Sequence, residues 1–219
     1  MPGSPAPGKW SLSGWLFWRD AGAQGSLANV GQLGGSQAGG RLAYQLVPEV
    51  PERLALYGRM TSALRRPHGS EAAVGVSFQP GKTIPLRIAL ERRIALDRDA
   101  RNAMAVVAVG GLGPVEVQSG FELEGYGQAG VVGVQSRDAF VDGKVTLQHA
   151  LPSPAPISAG LSLSGGAQPQ VSRLDIGPQL EARMKLGNQP ARISAEWRQR
   201  IAGNARPGSG PAITLAADF

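Results

Sequence analysis

At 219 residues the chain is long enough for one all-β domain. Its 42% hydrophobic content never gathers into the roughly 20 consecutive apolar residues of a membrane helix, so any bilayer would be crossed by strands. The absence of cysteine excludes a disulfide framework and thiolate metal sites, and the net charge of +6 is spread along the chain, which argues against a nucleic-acid-binding face.

Residues 1–8 are rich in Pro, Gly and Ser and read as a linker, leaving 9–219 as a single domain. From Lys9 to Arg19, the residues Trp10, Leu12, Gly14, Leu16 and Trp18 alternate with Ser11, Ser13, Trp15, Phe17 and Arg19. Trp10 and Trp18 share one face, at a spacing that suits aromatic anchors at the two membrane interfaces. The two-residue period then recurs. Leu42 and Tyr44 oppose Arg41; Leu56 and Met60 oppose Arg53, Tyr57 and Arg59; Val74, Val76 and Phe78 oppose Glu71 and Ser77. Ile84, Leu86, Ile88 and Leu90 oppose Arg87, Glu91 and Arg93; residues 102–110 are apolar throughout, and their face is left open. Val115, Val117, Phe121 and Leu123 oppose Glu116, Glu122 and Glu124, read as one strand with G-L-G-P at 111–114 as the turn before it. Val141, Val145 and Leu147 oppose Asp142 and Lys144, and Leu161 and Leu163 oppose Ser162 and Ser164. Leu174, Ile176, Leu180 and Met184 oppose Arg173, Asp175, Glu181, Arg183 and Lys185; Ile193 and Trp197 oppose Arg192, Glu196, Arg198 and Arg200.

The last strand, from Gly210, puts Ile213, Leu215 and Phe219 on its apolar face and stops on an aromatic residue, as in the closing strand of outer-membrane barrels, where such an ending is part of the assembly signal. The expectation is an all-β, antiparallel transmembrane β-barrel of about 12 strands. The connections are expected to alternate, with 20–35, 65–70, 94–101, 125–138, 165–172 and 202–209 long and external, and 47–52, 79–83, 110–113, 151–156 and 187–189 short.

Several phrases together resemble a known family: G-G-S-Q-A-G at 34–39 with R-L-A-Y at 41–44, E-R-R-I at 91–94 leading to A-R-N-A at 100–103, and L-D-I-G-P at 174–178. From about Trp10 the chain resembles the carboxyl-terminal region of bacteriophage adsorption protein A. In that family a periplasmic helical-repeat region precedes an outer-membrane barrel similar in architecture to exopolysaccharide export barrels. The resemblance implies a bacterial outer-membrane location, with the assembly machinery and membrane lipid as partners and a polysaccharide or a phage as ligand. It implies a surface receptor or an export conduit. The helical repeats have no counterpart here, and the amino terminus lacks the apolar core of a signal peptide, so the expectation is the carboxyl-terminal part of a longer precursor.

If the apolar faces meet lipid, then Arg87, Glu91, Arg93, Glu122, Arg173, Asp175, Glu181, Arg183, Arg192, Glu196, Arg198 and Arg200 point into the lumen, with Arg41, Arg53, Arg59, Glu116 and Glu124. Such charges either select a solute or pair across strands and fill the barrel. The second is the stronger expectation. Catalysis is not expected: the only histidines, His68 and His149, fall at opposite ends of the topology, and no cofactor or metal pattern is present. The alternative is a soluble antiparallel barrel or sandwich holding a polyanionic or apolar ligand on its Arg-rich face.

Overall fold

Alternating β-branched or apolar residues with polar ones leaves each strand with two unlike faces, and a ring of such strands can separate them completely. A computed structural model shows this ring and describes residues 9–19, 33, 35–46, 54–66, 68–80, 85–152, 154–187 and 189–219. The strands are β1 (Trp10–Arg19), β2 (Gln37–Gln45), β3 (Leu54–Ala63), β4 (Glu71–Phe78), β5 (Leu86–Ala95) and β6 (Ala103–Gln118). They continue as β7 (Phe121–Val132), β8 (Asp138–Ala150), β9 (Ile157–Gln168), β10 (Val171–Leu186), β11 (Gln189–Gly203) and β12 (Gly210–Asp218). Each pairs antiparallel with its sequence neighbours, and β1 with β12 closes the barrel, in register from Ser13↔Asp218 to Arg19↔Ala212. Phe219 extends this seam: its N–H donates to the Leu12 carbonyl at 2.6 Å, and the Leu12 N–H donates back at 2.9 Å.

The distribution of side chains is the reverse of a soluble protein's. Trp10, Leu12, Leu16, Trp18, Leu56, Val76, Leu90, Val106, Leu161, Leu180, Trp197 and Ile213 are exposed on the outside, whereas Arg19, Glu71, Glu91, Arg93, Arg173, Asp175 and Glu196 are buried inside. A soluble barrel or sandwich would bury the first set; water cannot cover so large an apolar surface without association. The chain is therefore a twelve-stranded transmembrane β-barrel of the outer-membrane type.

Several sequence expectations are corrected. G-L-G-P does not turn: β6 runs through it, with a register shift between Leu112 and Val115 where an extra residue is absorbed as a bulge. The turn is at 119–120, where Ser119 (φ 35°) and Gly120 (φ 81°) both take positive φ, as a two-residue hairpin matched to strand twist requires. Residues 115–124 therefore belong to two strands, with Val115 opposite Leu123 and Glu116 opposite Glu122, so the face assignment survives the wrong boundary. Among 102–110, Ala105, Val107 and Val109 face inward while Val106 faces out.

The expected loops 125–138 and 165–172 are mostly strand, with connections only at 133–137 and 169–170. Most of their glycines pair in ladders, as in the row Gly127↔Gly143↔Gly165, and Gly133 (φ 86°) opens the remaining turn. The expected alternation of long and short connections is consequently carried by 20–36; the rest run 64–70, 96–102, 133–137, 169–170 and 204–209 at that end against 46–53, 79–85, 119–120, 151–156 and 187–188 at the other. The proposed linker 1–8, Arg53 and Ile84 lie outside the described residues.

Candidate functional site

The inward charges are organised as four networks, one along adjacent strands and three between strands that are not neighbours. On β3, β4 and β5, Glu91 is the hub. It accepts from Arg59 Nη2 at 2.7 Å, Arg59 Nε at 3.1 Å, Arg93 Nε at 2.8 Å and the Tyr57 hydroxyl at 2.7 Å. Arg59 also reaches Glu71 at 2.7 Å. The alternation requires this convergence, because Tyr57 and Arg59 lie two residues apart on one face of β3, as Glu91 and Arg93 do on β5. Arg93 additionally lies 5.7 Å from the centre of the Phe140 ring.

A second network joins β1 to β10. Arg19 Nη1 meets Asp175 at 3.2 Å with both side chains fully buried, and Arg173 grips the same carboxylate at 2.6 Å. Arg19 Nη2 also donates to the Gly208 carbonyl at 2.6 Å, tying the 204–209 connection down. The third joins β8 to β11: Lys144 Nζ lies 3.0 Å from Glu196, which also accepts from Arg198 Nη2 at 2.7 Å and Ser162 Oγ at 2.9 Å. Arg198 stacks 4.6 Å from the centre of the Phe17 ring. The fourth joins β7 to β10 and β11. Arg183 contacts Glu181 at 3.1 Å, Glu124 at 3.4 Å and Glu122 at 3.5 Å, and Arg192 pairs with Glu124.

Between these networks the lumen keeps a cavity of about 540 Å³. Basic residues on its wall are Arg41, Arg59, Arg87, Arg93, Lys144, Arg173, Arg192 and Arg198; acidic ones are Glu91, Glu124, Asp142 and Glu181. Five rings, Trp15, Phe17, Tyr57, Tyr126 and Phe140, line it too, and Leu33 reaches it from the 20–36 connection.

Of the charged candidates, Arg87, Glu91, Arg93, Arg173, Glu181, Arg192 and Arg198 border this cavity, and Asp175 and Glu196 are buried in its wall. Glu122 and Arg183 sit in the fourth network outside the cavity lining. Arg200 does not enter the cavity beside Arg198: its guanidinium donates to the Ala205 carbonyl of the 204–209 connection. The reason is a register shift of β10 against β11 between Leu174 and Asp175, next to that position. Glu116 is exposed at the 119–120 hairpin and accepts from the Gly120 N–H at 3.0 Å, away from the cavity. Trp10 and Trp18 are exposed on the outer wall near opposite ends of β1, with Trp10 packed 4.8 Å from Tyr44. Ile213 is exposed on the outer wall and Leu215 is half-buried opposite Leu16.

Arg19 and Lys144, central to two networks, were not in the candidate set, although each stands on a polar face in plain alternation. Their partners lie three strands away, which no local pattern encodes. Among the described residues, no cluster of His, Asp or Glu has metal-binding geometry. His68 and His149 bond to the Ala63 and Gly120 carbonyls at opposite ends of the barrel.

No protein-family model and no curated protein sequence matches the chain. Several solved structures are similar at low identity. An outer membrane channel from Pseudomonas putida F1 is 10% identical, covering 95% of this chain and 94% of that one, with a TM-score of 0.44. A bacterial polysaccharide outer membrane secretin is 9% identical over 96% and 97%, with a TM-score of 0.39. Wzi of Escherichia coli, described as a carbohydrate-binding β-barrel involved in group 1 capsule assembly, is 10% identical with a TM-score of 0.34. That match covers 84% of this chain, which spans about half of Wzi's (51%).

Proposed function

We propose that the chain is the non-catalytic outer-membrane domain of an adsorption- or export-type protein, acting as a surface receptor whose barrel is held closed by its own charges. The observation that carries this reading is the set of ion pairs between strands that are not neighbours: Arg19–Asp175, Lys144–Glu196, Arg183–Glu124 and Arg192–Glu124. Pairs of this kind run through the interior instead of along the wall, and they consume the charges a selective pore would present to a solute. Phe219, paired with Leu12 at the β1–β12 seam, is the residue the barrel-assembly machinery would read.

One observation favours a second reading, a conduit for an acidic polysaccharide: the cavity wall carries eight basic residues against four acidic ones and five aromatic rings. The two readings separate in cells lacking the protein. A receptor predicts loss of phage adsorption with polysaccharide release unchanged, and a conduit predicts loss of release. Normal adsorption and normal release would refute both.

A further inference from the structure

The outer wall contains one residue that a purely lipid-facing surface does not explain. On β5, Leu86, Ile88, Leu90, Arg92 and Ile94 share the outward face, and Arg92 is exposed. Its cross-strand neighbours are Val74 on β4 and Met104 on β6. Among the described strand residues it is the only charged side chain on the outward face, and it makes no ion pair or hydrogen bond with any of them.

We infer that Arg92 is the anchor of a binding site for a phosphorylated glycolipid headgroup of the outer leaflet. An arginine at the middle of a lipid face is strongly destabilising, and one near the interfaces is tolerated. Position and partner therefore decide whether it is tolerated. Arg92 stands three residues before the end of β5, about 10 Å along a tilted strand from the last paired residue. Its aliphatic stem can lie along the wall and lift the guanidinium towards the headgroups.

That end of the barrel is the one opposite the chain termini. It carries the 20–36 connection, and longer loops face the outside in barrels of this class. Above Arg92 the adjoining connections present Arg66 and Arg98, both exposed. Of the two acids on the 96–102 connection, Asp97 is occupied, accepting from the Ser70 N–H at 2.6 Å and the Asp99 N–H at 2.9 Å, which leaves Asp99 as the one exposed carboxylate there. A planar guanidinium matches two phosphate oxygens at once, and a desolvated position strengthens that pairing.

The test is native mass spectrometry of the full chain extracted in neutral detergent, with bisphosphorylated lipid A, dephosphorylated lipid A or phosphatidylglycerol added in turn. The expected result is a retained adduct with bisphosphorylated lipid A. It should weaken about tenfold in Arg92→Gln and in Arg92→Leu, consistent with loss of one charge-assisted contact, and persist in part in Arg92→Lys. Both neutral variants suit a lipid face, and heat-modifiable mobility confirms that each folds. Undiminished lipid A binding by both would overturn the proposal. So would equal retention of the dephosphorylated lipid or of phosphatidylglycerol by the wild type, or a change of oligomeric state in the variants, which would place Arg92 between copies of the chain.

Discussion

At the scale of single residues, Glu91 shows why these charges are tolerated inside a barrel. A buried carboxylate alone would be expensive, but this one is met by two guanidiniums and a phenol, so almost every lone pair is used. Glu91→Gln would leave Arg59 and Arg93 facing each other with only Glu71 between them, at an expected cost of about 3–5 kcal/mol. Glu116→Gln, at the exposed hairpin, should stay within about 0.5 kcal/mol of wild type. Urea unfolding in detergent micelles measures both, and equal stabilities would refute the hub role. Asp97 offers a pH test outside the membrane span. Hydrogen bonds from the backbone N–H groups of Ser70 and Asp99 hold its pKa below the usual carboxylate value. A depressed folded pKa stabilises the ionised form, so its contribution is present above the ordinary carboxylate pKa and is lost as pH falls through the lowered value. The protection factor of the Ser70 amide, its exchange relative to the intrinsic rate at the same pH, should therefore fall in acid, and Asp97→Asn should lower it at neutral pH with little further change on acidification. Exchange at Ser70 indifferent to both would rule the contact out.

At the scale of strands, the period-two pattern is enough to assign faces almost everywhere, because large apolar residues recur on one face of most strands and charged or hydroxyl residues mainly on the other. It fails where the pattern carries no contrast. Residues 103–109 are apolar on both faces, and only pairing with β5 and β7 decides which one meets the cavity. Boundaries are less legible for a related reason: Gly and Pro signal turns, yet a ladder accommodates glycine and a bulge accommodates the extra residue at 113–114. The face assignment makes a direct prediction. Leu161→Arg on the outer wall of β9 should cost about 2–4 kcal/mol, whereas Thr214→Arg, which enters the cavity, should cost far less. Similar unfolding midpoints for the two would contradict the inside-out arrangement. Ser162, also on the inner face, is unsuitable for that comparison, since it is buried and bonded to Glu196. The seam carries its own test: deleting Phe219 removes both of its backbone bonds to Leu12 and should lower the yield of heat-modifiable, inserted barrel. An unchanged yield would make Phe219 an ordinary end residue.

At the scale of the whole molecule, the question is whether the barrel conducts, and Glu124 decides it. It stands on β7 and holds Arg183 from β10 and Arg192 from β11, so its two bonds bridge strands three and four apart instead of running along neighbouring ones. Neither arginine is well buried, with 41% and 47% of their side chains exposed, so each pair is worth only about 0–1 kcal/mol to stability. Removing the carboxylate should therefore leave the fold nearly intact while releasing Arg192 into a cavity already lined by more basic than acidic groups, with Arg183 still held by Glu181 and Glu122. The wild type is expected to conduct weakly in a planar bilayer. Glu124→Ala is expected to conduct several times more, with anion preference, because the bare Arg192 guanidinium attracts anions and the bridge from β7 to β11 is gone. Its unfolding midpoint should move little. This separates the bridge from a merely structural contact: a variant that loses stability without gaining conductance would show Glu124 to be packing, and a wild type that already conducts freely would show that these ion pairs do not close the barrel.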